Sequence, residues 1–377
     1  MKKREIKKIV KSVIAGRMKS SPLSGFVGAP VYSIGKNKIS EAEVLEIQDK
    51  LFSLGVFSDL QVSQNKYYLK IIISGKFTAL KSSFVHSALF LFTIITTTVT
   101  GSILQGKNPF NSFEEFSYGF EYSFALLTIL FLHEMGHYFA ARYYKVDTTL
   151  PYFIPFFFPG FHPGTLGAFI KMRSLIPNKK ALFDIGIAGP IAGFIASIIF
   201  LFVGFSRLPD LAGINYHISQ IHPLNMSNGV ELTLGHTLLF DWISSIFGGE
   251  RLSMSEIYHF PFIFAGWFGL LVTAINLFPI GQLDGGHISY ALFGRKSRWI
   301  AYSFFLFLVI LTVYLIINYN SYIWVLWIFL IFFLIRFSHP PTLDDSVELG
   351  FIREMLGRFA FIMLFVSFSP MPIYVPN

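Results

Sequence analysis

The sequence has no cysteine and few charged side chains. Because none of the 377 residues is Cys, the chain can hold no disulfide, no thiolate zinc site, no iron–sulfur cluster and no cysteine nucleophile. Charged residues make up 14% of the chain, against about 25% in a soluble globular domain, whereas hydrophobic residues make up 53%. An ordinary cytosolic enzyme is therefore excluded, and any metal must be bound by His, Asp or Glu.

The apolar residues form runs long enough to cross a lipid bilayer. Six spans are predicted, at 84–105, 120–142, 182–206, 259–281, 298–318 and 322–337. A seventh apolar stretch, 355–369, is shorter and contains Arg358, so it either spans, re-enters or lies at the interface. The pattern predicts an α-helical polytopic membrane protein in which residues 83–377 contribute about six or seven transmembrane helices.

Most of the net charge of +8 lies at the N-terminus. The first twenty residues contain eight Lys or Arg side chains and a single acidic one, Glu5. Beside a membrane domain, such a basic tail favours binding to anionic lipid and retention in the cytoplasm over binding to nucleic acid. A solvated terminus is the simpler alternative. We assign residues 1–29 to this basic N-terminal tail and expect no nucleic-acid partner.

Residues 30–82 have the pattern of a small α+β soluble domain. Ser40 and Glu43 form a capping box at the start of a predicted helix, and Gly55 follows its end. Residues 67–74 are typical of a strand. A unit of this size buries only a thin core, so we expect it to lean on the membrane domain or on a partner.

Orientation follows from the Lys and Arg residues in the connections between spans. The connections 142–180 and 294–298 are rich in these residues, as is the N-terminal tail, whereas 105–119 and 207–258 contain few. Because basic loops stay on the cytoplasmic side, the N-terminus is predicted to be cytoplasmic and 207–258 to form an external loop.

The second predicted span contains the run His133-Glu134-Met135-Gly136-His137. Two His residues four positions apart lie on one helix face, so both imidazoles can reach one metal ion. Glu134 follows the first His and can reach a water on that ion, as the general base of a zinc hydrolase does. Ionisable side chains in an apolar span are costly unless they pair or bind something. Polar residues that satisfy one another between helices are the alternative.

A third metal ligand is expected at the same membrane depth. Asp284 follows the span 259–281 at its basic, cytoplasmic end, and His137 also lies near the cytoplasmic end of its own span. Pro279 and Gly281 break the helix, which lets Asp284 turn inward. A turn-forming Asp-Gly pair at the end of a span is the alternative for Asp284.

These runs resemble the site-2 protease family of intramembrane zinc metalloproteases. The resemblance rests on His133-Glu134-Met135-Gly136-His137 together with the later run from Asn276 to Gly285, which contains Asn-x-x-Pro and Asp-Gly. It extends to Gly164-Thr165-Leu166-Gly167-Ala168-Phe169-Ile170 and to Ala188-Gly189-Pro190-Ile191-Ala192-Gly193. The two metal motifs stand in the family's order and on separate spans.

The resemblance implies a role for each site residue. His133, His137 and Asp284 would bind one Zn²⁺ per chain. Glu134 would activate water, and Asn276 would help to place the substrate peptide. The metal and catalytic residues would thus come from two different spans.

The resemblance also implies the reaction and its place. Members hydrolyse peptide bonds in or near the transmembrane segments of membrane proteins, so we expect single-pass membrane proteins as substrates and a role in regulated intramembrane proteolysis. We further expect a multi-pass protein of a bacterial inner (plasma) membrane with its active site near the cytoplasmic side. Many members carry a PDZ domain, for which the loop 207–258 is too short.

Residues 150–172 predict a short β-like, membrane-associated hairpin. Four prolines forbid a continuous helix there: Pro151, Pro155, Pro159 and Pro163. Residues 164–172 then have the pattern of a strand, whose edge could hold an unwound substrate by strand addition. A purely structural hairpin at the interface is the alternative.

Two interpretations from other classes stay open. A metal transporter or channel would use His133, His137 and Asp284 as a transit site, but the spans within 298–337 have almost no ionisable residues to line a path. A catalytically silent membrane scaffold would keep the fold alone, but Glu134 is intact.

Three further polar residues are singled out by their position. His162 and His287 are predicted near the site, where they would orient ligands or move protons, or serve as ordinary loop histidines. Asp184, at the start of the third span, is predicted to be an N-cap rather than a catalytic acid.

Overall fold

The computed structural model is mostly helical with small sheets, and it describes residues 3–14, 16–21, 30–54, 56–63, 66–72, 79–158, 162–221, 232–335 and 337–375. The helices are α1 (Lys3–Ile14), α2 (Glu41–Ser53), α3 (Ala79–Leu104), α4 (Phe113–Ser117), α5 (Phe120–Tyr143), α6 (Lys179–Ser206), α7 (Leu211–Ile221), α8 (Leu238–Ile246), α9 (Pro261–Asn276), α10 (Asp284–Phe293), α11 (Ser297–Tyr319), α12 (Val325–Leu330) and α13 (Phe351–Ser367). The strands are β1 (Lys19–Ser20), β2 (Val31–Gly35), β3 (Phe57–Ser63), β4 (Lys66–Ile72), β5 (Tyr152–Pro155), β6 (Thr165–Phe169), β7 (Thr233–Leu234) and β8 (Ile373–Tyr374).

Residues near the N-terminus form a small antiparallel sheet with two helices. The strand order is β1-β2-β4-β3. The capping box is present at α2, where the Ser40 amide donates to Glu43 Oε2 at 2.9 Å and the Ser40 hydroxyl accepts from the Glu43 amide. Val10 and Ile14 of α1 pack into one apolar core with α2 and β4. Helix α1, which belongs to the basic N-terminal tail, therefore packs with this sheet domain. Gly55 and residues 73–74 of the expected strand lie outside the described residues.

Within the described residues, four helical stretches are long and apolar enough to cross a membrane. They are Phe84–Leu104, Phe113–Tyr143, Lys179–Ser206 and Asp284–Tyr319. These stretches confirm an integral membrane protein, whereas a total of six or seven spans stays a prediction.

The other expected spans are shorter or broken. Helix α9 has 16 residues, since Pro261 opens it and the chain turns after Asn276. Within the expected span 322–337, the described residues contain the six-residue α12 followed by a π-helical turn at Ile331–Ile335. Near the C-terminus, the helix is Phe351–Ser367, slightly earlier than expected.

Helix α6 packs against α5, α9 and α10 at the centre of the membrane domain. Their facing side chains form one large apolar core, in which the Tyr122 and Phe264 rings of α5 and α9 stack with centroids 5.4 Å apart. Because buried apolar contacts of this kind fix helix positions, the core sets the distance between the two halves of the metal motif.

Strands β5 and β6 form the expected hairpin beside α3. Tyr152 pairs with Phe169 and Phe153 with Ala168, and the register shifts before Pro155. Phe90 of α3 packs on Phe153 with ring centroids 4.8 Å apart. The hairpin is therefore anchored on a membrane helix.

Residues 339–345, here called the bridging segment, connect distant parts of the chain. The Leu343 amide donates to Ile176 O and the Asp344 amide to Pro177 O, each at 3.0 Å. The Tyr68 hydroxyl of β4 donates to Leu343 O at 3.1 Å. The N-terminal sheet thus touches the membrane domain through this segment.

Candidate metal centre

Two histidines of α5 form the first half of the centre. His133 and His137 lie one turn apart, as the i, i+4 spacing requires, and both are buried. Their Nε2 atoms are 3.1 Å apart. His137 is oriented by its other nitrogen, since Nδ1 lies 2.6 Å from Ile185 O and a carbonyl only accepts. In its neutral form, with the proton on Nδ1, this ring presents the lone pair of Nε2 to the centre.

Asp284 completes the cluster from the N-terminus of α10. Its Oδ2 atom lies 3.2 Å from His133 Nε2 and 3.3 Å from His137 Nε2. The chain reverses sharply before it, with Gly281 at φ +54. A Cβ on Gly285 would lie 1.9 Å from Leu277 O, so glycine is needed where the backbone approaches itself.

The three side chains fit a zinc ion. In a tetrahedral zinc site with ligands about 2.0–2.2 Å from the ion, ligand atoms lie about 3.4 Å from one another. The three separations of 3.1, 3.2 and 3.3 Å are close to this value. Two imidazoles and a carboxylate are also a ligand set that zinc accepts, and they form a possible metal site among the described residues.

A row of glycines on α6 makes room for the histidines. A Cβ on Gly189 would lie 2.1 Å from His137 Nε2, and one on Gly193 would lie 3.0 Å from His133 Nδ1. The Gly189-x-x-x-Gly193 pattern thus serves close packing of the helix against the site side chains, as its spacing predicts.

Glu134 and Asn276 lie beside the cluster. The Asn276 Nδ2 atom is 3.3 Å from His133 Nε2. Glu134 is buried directly after the first histidine of the cluster. Both side chains line a cavity of about 600 Å³ together with the three candidate ligands.

Two further groups of residues line this cavity, here called the site cavity. Residues 168–172, at the end of β6 and just beyond it, form one part of its wall. His287, one turn after Asp284 on α10, also lines it. An elongated ligand in the site cavity would lie next to the candidate metal cluster.

Two of the other singled-out residues lie elsewhere. His162 accepts from the Gly164 amide through Nδ1 at 3.0 Å, within the hairpin connection. Asp184 is not an N-cap: the N-cap of α6 is Asn178. Asp184 instead forms a two-pronged ion pair with Arg353 of α13, with both contacts 2.8 Å long. The N-cap prediction was wrong because the helix begins a turn and a half earlier.

One participant near the site was missed from the sequence. His339 of the bridging segment lies with its Nε2 atom 2.6 Å from His287 Nδ1. The two residues are 52 positions apart and no spacing rule connects them, so the sequence carries no signal for this pair.

Comparisons with known proteins agree with this geometry. Residues 121–316 match peptidase family M50, slightly more than half of the chain, and the range contains all five predicted site residues. The chain is 31% identical over 254 residues to "Probable zinc metalloprotease EGY1, chloroplastic" of Arabidopsis thaliana, which covers 66% of this chain and 42% of that protein. It is 30% identical over 281 residues to "Probable zinc metalloprotease EGY2, chloroplastic" of Oryza sativa subsp. indica, covering 72% and 47%.

The chain spans less than half the length of these two relatives. No solved structure matches it. The family match covers the metal motif on α5, the core of α6 and the Asp284 turn in one continuous range. The resemblance to the site-2 proteases is thereby confirmed, and the chain belongs to peptidase family M50.

Proposed function

We propose that this protein is an intramembrane zinc endopeptidase that cleaves peptide bonds in or near the transmembrane segments of membrane proteins. The observation that carries the proposal is the meeting of His133, His137 and Asp284 from two apolar helical stretches, with Glu134 in the same cavity. A zinc hydrolase needs such a ligand set and a nearby carboxylate.

His133, His137 and Asp284 would hold the ion. When bound there, zinc supplies Lewis-acid chemistry: it polarises a carbonyl and makes water more acidic. Glu134 takes the proton of the attacking water and passes it to the leaving nitrogen. Asn276, adjacent to His133, donates its amide hydrogens to the substrate carbonyl as negative charge develops on the oxygen.

The substrate must be unwound before attack, because a helical peptide bond is shielded by its own hydrogen bonds. The wall formed by residues 168–172 offers backbone groups that an extended segment can pair with. Strand β6 is paired with β5 along one edge in a two-stranded sheet. We propose that its other edge binds the unwound substrate; a hairpin with a purely structural role is the alternative.

The proposal extends to partners and placement. The substrates would be single-pass membrane proteins in regulated intramembrane proteolysis, and the basic N-terminal tail, residues 1–29, would contact anionic lipid.

The proposal also divides the chain and orients it in the membrane. Residues 30–82 would form the soluble domain and 83–377 the protease domain, with an external loop at 207–258. The charge distribution supports a cytoplasmic N-terminus with the site near that side. A bacterial inner membrane belongs to the proposal, although the relatives above are named as chloroplastic.

The test compares the purified wild type with Glu134→Gln on a panel of detergent-solubilised single-span proteins, with zinc quantified in both. We expect wild type to cleave at least one substrate and Glu134→Gln to cleave none, with about one zinc per chain in each. Zinc-dependent cleavage that persists in Glu134→Gln would contradict the assigned role of this residue.

The same variant separates the alternatives. A metal transporter would move zinc across proteoliposomes in both forms, because Glu134 is not among its three transit ligands. A catalytically silent scaffold would bind zinc yet cleave nothing, even when the panel includes a protein that a second family M50 member cleaves in parallel.

A further inference from the structure

His287 and His339 form a buried imidazole pair beside the site cavity. His287 lies on the cavity wall, one turn after Asp284, and His339 lies in the bridging segment. Nδ1 of His287 is 2.6 Å from Nε2 of His339, and the two rings are nearly perpendicular, at 82°. The proposed reaction uses neither residue.

The proton positions in this pair follow from its outer end. His339 Nδ1 lies 2.5 Å from Pro340 O, and a carbonyl only accepts, so His339 carries its proton on Nδ1. Burial lowers the pKa of His339 well below its usual value, which keeps this ring neutral and its Nε2 atom an acceptor. His287 must then donate from Nδ1. In a neutral His287 ring, Nε2 is left as an acceptor.

The surrounding residues hold the pair in place. A Cβ on Gly186 of α6 would lie 2.8 Å from His287 Cβ, so a glycine leaves room for the His287 side chain. The Tyr290 ring packs on His339 with centroids 4.8 Å apart, and its hydroxyl donates to Asp345 Oδ2 at 2.6 Å. Both histidines are therefore held by neighbouring side chains as well as by the hydrogen bond between them.

No described residue forms a hydrogen bond with Nε2 of His287. His287 lines the site cavity together with residues 168–172. A largely buried polar atom is expected to have a hydrogen-bond partner. A ligand bound in the site cavity can supply that partner for Nε2 of His287.

We propose that Nε2 of His287 accepts a hydrogen bond from a backbone N–H of the peptide segment bound in the site cavity. The inference rests on the proposed function and deepens it by assigning a substrate-binding residue. It gives α10 two tasks one turn apart: Asp284 faces the metal and His287 faces the peptide.

A backbone N–H is the donor that the geometry favours. An extended peptide paired with the wall at 168–172 uses only alternate residues in that pairing. The remaining N–H groups point away from the strand and into the cavity that His287 also lines. Every residue except proline has such an N–H. The contact with His287 therefore does not depend on the substrate side chain, but it disfavours a substrate with proline at this one position.

The tautomer is tested without any activity measurement. Solid-state NMR of the protein labelled with ¹⁵N-histidine distinguishes protonated from bare ring nitrogens, and the His287→Gln and His339→Phe spectra assign the pair by difference. We expect Nδ1–H and bare Nε2 on both rings in wild type and in the control Tyr290→Phe, which keeps the ring but loses the hydroxyl. A proton on Nε2 of His287 would overturn the proposal.

The contact is tested with substitutions that differ only in reach. Gln places an amide oxygen close to the position of Nε2, whereas Asn places one close to that of Nδ1. The probe is a synthetic peptide of a cleaved panel substrate, and each backbone amide is replaced in turn by an ester, which removes one N–H. In wild type, the ester that removes the N–H facing His287 should lower kcat/KM by about fivefold, as the loss of one hydrogen bond does, and esters at the positions paired with residues 168–172 should lower it as well.

The two variants should then separate. His287→Gln should retain the ester effect at that position, and His287→Asn should lose it while binding as much zinc as wild type. Equal ester effects in wild type and His287→Asn would overturn the contact. If wild type cleaves no panel protein, the proposed function fails. In that case the NMR spectra still test the proton positions on His287 and His339. The contact is then tested by comparing the affinities of Glu134→Gln for the amide and ester forms of a panel peptide.

Discussion

At the scale of single residues, one side chain of the candidate metal cluster is oriented by a group outside it. His137 donates through Nδ1 to Ile185 O. Such an outer contact would fix the ring that faces a bound metal. Asn276 differs, because its Nδ2 atom lies 3.3 Å from His133 Nε2, which is itself a candidate ligand atom. A metal on that atom would take up its lone pair and leave the Asn276 amide to a substrate.

Replacing Asn276 tests its proposed role. We expect Asn276→Ala to lower kcat by about 100- to 1,000-fold, the usual cost of losing a donor to developing negative charge. Zinc content should stay at the wild-type value, because Asn276 is not among the three ligands. Gln282→Ala is the control: it lies on the same cavity but at an exposed position, and its activity should be near that of wild type. Loss of zinc from Asn276→Ala would contradict the role.

At the scale of elements, the sequence pattern correctly predicted those features that depend on residues close together in the chain. The i, i+4 histidines, the capping box at Ser40 and the hairpin at 152–169 all depend on neighbours in sequence, and all are present. The ion pair of Asp184 was not predicted because its partner, Arg353, lies 169 positions away. The His287–His339 pair escaped for the same reason. Contacts between elements that are distant in the chain follow no fixed residue spacing, so they cannot be predicted from spacing in the sequence.

The glycine row on α6 gives a graded prediction. Gly189→Ala should displace the His137 ring and abolish zinc binding, because the new methyl would lie 2.1 Å from Nε2. Gly193→Ala is the matched control: its methyl would lie 3.0 Å from His133 Nδ1, so a small shift suffices and zinc affinity should fall less. Zinc titration of both purified variants measures the difference. Equal affinities in the two variants would contradict the packing described for α6.

At the scale of the whole molecule, the bridging segment connects the N-terminal sheet with helix α10, which carries the candidate ligand Asp284. Its Leu343 carbonyl accepts from Tyr68 of β4, and Nε2 of its His339 lies 2.6 Å from Nδ1 of His287. The side chains of Val31, Tyr68, Leu175 and Leu343 form a small apolar cluster at this junction. The N-terminal sheet is therefore positioned to stabilise the segment that orients a wall of the site cavity.

Removing the Tyr68 hydroxyl tests this connection. Tyr68→Phe should destabilise the junction by about 0.5–1.5 kcal/mol, the net value of one hydrogen bond. Amide hydrogen exchange in residues 339–345 should become faster, while exchange in α5 stays unchanged. Tyr67→Phe is the control, because it alters the neighbouring residue of the same strand on the opposite face. Unchanged exchange in Tyr68→Phe would show that the N-terminal sheet does not stabilise the segment.

The central claim is that two imidazoles and one carboxylate from separate helical stretches hold a single zinc ion. X-ray absorption at the zinc edge of the purified, metal-replete protein tests it most directly. We expect about one zinc per chain, with nitrogen and oxygen ligands at about 2.0–2.2 Å, two of them imidazoles. Asp284→Asn should weaken binding and change this shell. A zinc-free wild-type protein, or a zinc whose shell is unchanged in Asp284→Asn and in His137→Ala, would contradict the account.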